Sequence, residues 1–169
     1  QVLLCYRALA EVEHDLGVRA ASANERLHEL EEQISISGPT PPADIRRVFE
    51  QVDSQRQELD ASEYEGIVQL NQWRVMLGLA PLEVDIQLVE ASRGHSQDMI
   101  DLGFFAHESP VEGKASPWDR ARAAGTSASA ENIAAGQTTA EAANWAWFFS
   151  PGHHLNMFAE GPRRIGLGR

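Results

Sequence analysis

The chain has 169 residues, of which 43% are hydrophobic and 23% charged, and its formal net charge is −11. This composition is typical of a globular protein with one sizeable core, and the length argues against two large domains. Acidic residues outnumber basic ones both in residues 1–60 (12 against 6) and in residues 61–169 (13 against 8), and no basic stripe is present. A nucleic-acid partner and electrostatic docking on anionic lipid are therefore not expected.

Three sequence features limit how the chain can be held together and where it can reside. Cys5 is the only cysteine, so no intrachain disulfide can form and packing alone must hold the fold. The chain starts without Met and without a basic segment, so it does not begin as a signal peptide and is expected to be a fragment or a processed product. No stretch approaches the ~18 apolar residues of a membrane span.

Residues 1–60 are predicted to form an antiparallel helical hairpin, separate from a domain over residues 61–169. Apolar residues at spacings of three and four mark a coiled-coil-like stripe over residues 1–36. The turn GPTPP (38–42) must end this helix because its prolines remove backbone donors, and a second stripe follows over residues 45–59. The stripe of the first helix is predicted to pack on the second. These residues are Leu9, Leu16 and Leu27 in the first helix and Val48, Val52 and Leu59 in the second.

The next helix is predicted over residues 62–77, with Gly78 at its end. It either begins at a capping box formed by Ser62 and Glu65 or continues unbroken from Ala43. The absence of Gly and Pro over residues 60–62 favours a continuous, bent helix.

Four later elements are predicted from their caps and apolar spacing. Helices are expected over residues 84–102, ended by Gly103, and over residues 117–124, opened by Pro117. Thr138 or Thr139 caps a helix over 140–149, and Ser150 caps a short helix over SPGHHLNM (150–157). A strand is expected to begin at Ile165.

Several ordered motifs in residues 64–168 carry a resemblance to a known family. They are YEGIVQLNQWRVMLGLAPLEVD (64–85), FFAHESP (104–110), AENIAAG (130–136), W-x-x-SPGHH-x-NM (147–157) and IGLG (165–168). Together they resemble the bacterial branch of the CAP superfamily, which comprises cysteine-rich secretory proteins, antigen 5 and pathogenesis-related proteins.

The resemblance implies an α+β fold, a CAP-type αβα sandwich preceded by the hairpin. In that family the strand at Ile165 joins a central sheet whose next strands come later in the chain. The sheet is thus expected to be truncated here or completed by residues outside this sequence. The family also implies an extracellular, periplasmic or cell-surface location.

The candidate site residues are His107, Glu131 and His153, each placed where an apolar segment meets turn residues. The resemblance assigns His107 and His153 to the two histidines of the family cavity and Glu131 to a glutamate that orients a histidine. Glu131 could instead cap backbone amides of its own loop, and both roles stay open. The family's second glutamate corresponds to Ser150. A core position is expected for His95 and a solvated one for His154.

Three functions remain open, and we favour a non-enzymatic one: binding of a small apolar or peptidic ligand by His107, Glu131, Ser150 and His153. The second is a zinc-assisted hydrolase with catalytic His107, Glu131 and His153, in which His107 and His153 hold the metal. Zinc is the cofactor considered because it accepts imidazole nitrogen and needs only three protein ligands at catalytic sites. The third is a structural or adhesion module, and self-association through residues 1–60 is the alternative to a spacer role for the hairpin.

A nucleophilic hydrolase is not supported by the motifs. No G-x-S-x-G sequence surrounds Ser109 or Ser150, and no H-E-x-x-H sequence or glycine-rich phosphate loop occurs.

Overall fold

Six helices and a pair of short strands make up the part of the chain that the computed structural model describes, residues 41–169. The predicted helix over residues 1–36 lies outside this part. The helices are α1 (Ala43–Ser54), α2 (Ala61–Met76), α3 (Ile86–Leu102), α4 (Pro117–Ala123), α5 (Ala140–Phe148) and α6 (Pro151–Met157), and the strands are β1 (Glu83–Val84) and β2 (Arg164–Ile165). The strands pair in parallel, with Glu83 opposite Arg164 and Val84 opposite Ile165. The predicted α+β class is confirmed, whereas β1 was not predicted because two residues carry no alternating pattern.

Helices α1 and α2 are separate, so the prediction of one continuous helix from Ala43 is wrong. A short 3₁₀ helix (Arg56–Glu58) and the extended backbone of Leu59 lie between them. The capping box of α2 begins at Asp60 rather than Ser62: the Asp60 carboxylate accepts from the Glu63 N–H at 2.7 Å, and the Glu63 carboxylate accepts from the Asp60 N–H at 3.0 Å. The extended backbone of Leu59 separates the two helices, and the cap at Asp60 starts the second one.

The hydrophobic core includes residues from α1 as well as from the predicted CAP-type region. Val48, Val52 and Leu59 are buried together with Ile67, Val84 and Val89. The stripe of residues 1–36 that was expected to cover the first three lies outside the described residues. Since Ala43–Arg169 forms one compact unit, α1 packs with the elements that follow it. The predicted division at residue 60 stays a prediction.

Asp85 ties the sheet to the loop that leads towards the candidate site. Its Oδ1 atom caps α3 by accepting from the backbone N–H groups of Gln87 and Leu88. Its Oδ2 atom accepts from the Thr126 hydroxyl at 2.7 Å and from the Arg164 guanidinium at 2.6 Å. Because Asp85 is buried, these charge-assisted bonds hold the start of the 126–132 loop against β2.

Within residues 41–169, none of the helices combines the length and the apolar character needed to cross a bilayer.

Candidate functional site

His107, Glu131 and Arg120 form a connected group of polar side chains. The His107 Nδ1 atom lies 2.8 Å from Oε1 of Glu131, and an Arg120 N–H donates to Oε2 of Glu131 at 2.6 Å. An ionised carboxylate can only accept hydrogen bonds, so the His107 ring donates from Nδ1. In the described structure, the Glu131 side chain thus contacts a histidine, and its role in orienting that ring stays a prediction.

Two local features place His107. Gly103 ends α3 in the left-handed region, with φ of 67°, which turns the chain out of the helix. His95, about two turns before that end, then donates from Nε2 to the Ala106 carbonyl at 3.0 Å. Since a carbonyl oxygen only accepts, this bond also places a proton on Nε2 of His95. The segment that carries His107 is held against α3 in this way.

Arg120 was not predicted as a site residue. In the structure its side chain is buried, with only 3% of the residue surface exposed. The capping box of α4, formed by Ser116 and Asp119, fixes the helix start, and the buried face of α4 includes Pro117, Arg120 and Ala121. The spacing of these three residues was the signal that could have identified a buried arginine. The PWDRARA sequence otherwise resembles a solvated helix with local charge pairs.

His153 belongs to α6, and its ring contacts Ser150. The Nδ1 atom of His153 lies 2.7 Å from the Ser150 hydroxyl, and Ser150 makes no side-chain cap bond to the helix backbone. Asn132 donates to the His153 carbonyl at 3.1 Å, and Asn156 donates to the Asn132 side chain at 2.9 Å. These bonds link α6 to the loop that carries Glu131. Convergence of the two histidine rings stays a prediction.

The sequence predicted a solvent-exposed position for His154 and a core position for His95. The expectation of a solvated His154 is wrong: the ring is half-buried, packs on Phe148 and Phe158, and donates from Nδ1 to the Phe148 carbonyl at 2.8 Å. The aromatic residues at both ends of the short helix cover it. The core position of His95 is confirmed, since it is 2% exposed.

A cavity of about 520 Å³ lies beside the polar group formed by His107, Glu131 and Arg120. Arg120 and Glu131 form part of its wall, as does His95. Of the four residues predicted to bind a ligand, Glu131 is the one found in this wall. Most of the surrounding wall is apolar and includes Leu70, Leu82, Leu88, Met99, Ile133 and Met157.

The residues present do not fit a three-ligand catalytic zinc site. Within residues 41–169, no group of three or more His, Cys, Asp and Glu side chains is placed to hold a metal ion. Both carboxylate oxygens of Glu131 are already bonded, one to His107 and one to Arg120. His107 and His153 as a pair of metal ligands stay a prediction.

Protonation of His95 is expected to make folding stability depend on pH. Burial lowers the pKa of His95, and the positive charge of Arg120 acts in the same direction. Between the lowered pKa and the usual value of about 6.5, the unfolded chain binds more protons than the folded one. The contribution of neutral His95 is thus complete above about pH 6.5 and is lost as the pH falls.

Urea unfolding at several pH values measures this effect. We expect the wild-type midpoint to fall between about pH 7 and pH 5. The fall should be smaller in His95→Gln, because the glutamine amide can donate to the Ala106 carbonyl and does not titrate. His154→Gln is the control and should keep the wild-type dependence. An unchanged pH dependence in His95→Gln would contradict this assignment.

Comparison with known proteins adds a family match and two similar proteins. The sequence pattern of the family described as CAP, the cysteine-rich secretory protein family, matches residues 68–169. The uncharacterized protein YkwD of Bacillus subtilis (strain 168) is 41% identical over 100 residues, which are 58% of this chain and 38% of that protein.

A solved structure also resembles the chain in three dimensions. It is the crystal structure of an extracellular protein containing a SCP domain from Bacillus anthracis str. Ames. The TM-score is 0.62 at 29% identity, over 78% of this chain and 41% of the Bacillus anthracis chain. The chain thus spans about two-fifths of the length of both proteins.

Proposed function

Because this chain belongs to the CAP, or cysteine-rich secretory protein, family and is of the bacterial type, we propose that it is an exported protein that binds a small apolar or peptidic ligand. The observation that carries the proposal is the cavity of about 520 Å³ beside Glu131. Cavities of about 300–1,000 Å³ are typical of small-molecule sites.

The chemistry of the cavity wall supports the choice of ligand. Leu82, Leu88 and Met99 offer apolar surface, whose burial would drive binding. The ion pair of Arg120 and Glu131 offers a polar patch in the same wall, which can orient a ligand that also carries a polar group. This combination of an apolar wall with few polar groups is the usual composition of a ligand site.

Export is supported by one of the similar structures. The protein from Bacillus anthracis is described as extracellular, and it shares the fold over 78% of this chain. We therefore place the protein outside the cytoplasm, in the extracellular space, at the cell surface or in a periplasm. A hairpin formed by residues 1–60 would be the spacer or the self-association element of the exported protein.

The proposal is tested by binding of an apolar fluorescent probe, 8-anilinonaphthalene-1-sulfonate. Trp147 lines the cavity, so energy transfer from this indole to the probe should report occupancy. Ala134 also lines the cavity, and a phenylalanine there would fill part of it. We expect Ala134→Phe to weaken probe binding by about tenfold or more, which corresponds to ~1.4 kcal/mol.

Ala135→Phe is the matched control, because Ala135 is the exposed neighbour of Ala134 and lies outside the cavity wall. Its probe affinity should equal that of the wild type. Equal losses in both variants, or no loss in either, would show that the probe binds elsewhere and would argue against the cavity. Displacement of the bound probe by a short apolar peptide would extend the ligand class to peptides.

A further inference from the structure

The environment of Arg120 suggests a role for this residue beyond the fold. Its side chain is 3% exposed, and its guanidinium donates through two nitrogens: Nη2 to Oε2 of Glu131 at 2.6 Å, and Nη1 to the Lys114 carbonyl at 3.2 Å. A guanidinium is planar and permanently charged, so two such bonds leave it little freedom. Arg120 is therefore a rigid cationic partner for Glu131.

This partner determines what Glu131 can do. The Glu131 side chain is 19% exposed, and charge-assisted hydrogen bonds to such a carboxylate are stronger than neutral ones. Arg120 supplies a positive charge and donates to Oε2, while Oε1 accepts from a second donor. That donor is Nδ1 of His107, at 2.8 Å. With one oxygen bonded to Arg120 and the other to His107, the Glu131 carboxylate is held in one direction.

The orientation of His107 follows from this arrangement. A neutral imidazole carries one N–H, and the carboxylate holds that N–H at Nδ1. The second nitrogen, Nε2, lies on the other side of the ring and keeps its lone pair. Since the His107 side chain is 45% exposed, a molecule that reaches the ring from solvent meets a hydrogen-bond acceptor.

We propose that Arg120 is a positioning residue which acts through Glu131, in the cavity wall, to present Nε2 of His107 as a hydrogen-bond acceptor next to that wall. The ligand class that fits is a molecule with a hydroxyl or N–H donor beside its apolar part. This ligand class rests on the proposed function, whereas the orientation of the imidazole is a property of the free protein. The two can therefore be tested separately.

Nitrogen NMR spectroscopy of the histidine rings in ¹⁵N-labelled protein gives the direct test. At a pH where the His107 ring is neutral, the wild-type protein should show the proton at Nδ1. Arg120→Met should change the ratio of the Nδ1–H and Nε2–H tautomers of His107 by about tenfold, because the Glu131 carboxylate loses its fixed partner. A merely structural role for Arg120 would leave this ratio unchanged in a protein that still folds.

Two further variants of arginine separate the effect of charge from that of packing. Arg120→Lys keeps a positive charge near Glu131 and should restore most of the wild-type ratio. Arg122→Met is the matched control: Arg122 is in the same helix, its side chain is 76% exposed, and it pairs with Asp119. The Arg122→Met protein should show the wild-type ring form.

If Arg120→Met does not fold, Glu131→Gln carries the test, since an amide can both donate and accept and should also shift the ratio by about tenfold. The proposal would be overturned if the His107 proton of the wild-type protein lay on Nε2. An unchanged tautomer ratio of His107 in a folded Arg120→Met or Glu131→Gln protein would also overturn it. A protein with the expected ring form that binds no 8-anilinonaphthalene-1-sulfonate would refute the ligand-binding function and leave the role of Arg120 standing.

Discussion

Replacing Arg74 by methionine is expected to lower the free energy of unfolding by about 3–5 kcal/mol. The Arg74 side chain is fully buried, and its three bonds all go to backbone carbonyl oxygens. Nε donates to Ala80 at 2.9 Å, Nη1 to Met157 at 2.6 Å and Nη2 to Ala159 at 3.0 Å. Methionine would leave three carbonyls without this donor, at a cost of ~1–3 kcal/mol for each that stays buried.

The location of these carbonyls explains why an arginine is tolerated there without a carboxylate among its bonded partners. Burial, together with the nearby charge of Arg163, lowers the pKa of Arg74, which shows that its charge is disfavoured at this place. Met157 is the last residue of α6, where the helix dipole and free carbonyls carry partial negative charge. Arg74 thus joins α2 to the helix that carries His153.

Urea denaturation of three variants measures the effect. Arg74→Lys should lie between wild type and Arg74→Met, because one ammonium group cannot follow the three directions of the guanidinium. Arg47→Met is the control, since the Arg47 side chain is 74% exposed and pairs with Glu83 at the surface, which contributes at most about 1 kcal/mol. If Arg74→Met lost no more stability than Arg47→Met, the three carbonyl bonds would have no net effect.

Replacing Gly166 by alanine is the second change with a large expected effect, about 3 kcal/mol or more. Gly166 directly follows β2, and a Cβ atom at this position would overlap with the backbone between Leu88 and Val89 in α3. Backbone atoms inside a helix cannot move aside, so the strand itself would have to shift outward. That shift would strain the bond from the Asp85 N–H to the Ile165 carbonyl, now 2.9 Å.

Gly161→Ala is the matched control for this prediction. A Cβ atom at Gly161 would meet no other atom within 4 Å, and its backbone is not in the left-handed region. The variant should stay within about 0.5 kcal/mol of wild type. Thermal or urea unfolding of both proteins measures the difference. Similar stabilities of the two alanine variants would mean that β2 can move away from α3 at little cost.

The helices of residues 61–157 were largely predictable because their signals are local. Gly103 in the left-handed region, the cap at Thr139 and Pro117 at the start of α4 all act within a few residues of the helix end they define. The boundary between α1 and α2 was the exception. No Gly or Pro marks it, and a short 3₁₀ helix followed by the extended backbone of Leu59 separates the two helices.

The candidate site was predictable only in part. The motif around Glu131 predicted a carboxylate within hydrogen-bonding reach of a histidine, and Glu131 contacts His107 in the structure. The motif did not reveal Arg120, which holds the other oxygen of that carboxylate. It also did not show that His154 would be covered by aromatic rings, since those contacts depend on how α6 lies against α5.

By itself, the sequence determined the family, the α+β class and most helix ends, because motif spacing, caps and apolar periodicity are properties of neighbouring residues. Only the tertiary structure decided which charged side chains are buried and what they bind. Arg74 reaches carbonyls 83 and 85 residues later, and Arg120 reaches a carboxylate 11 residues later. The residues next to an arginine in the sequence do not show whether its guanidinium is solvated or buried. Its partners are set by the packing of distant segments.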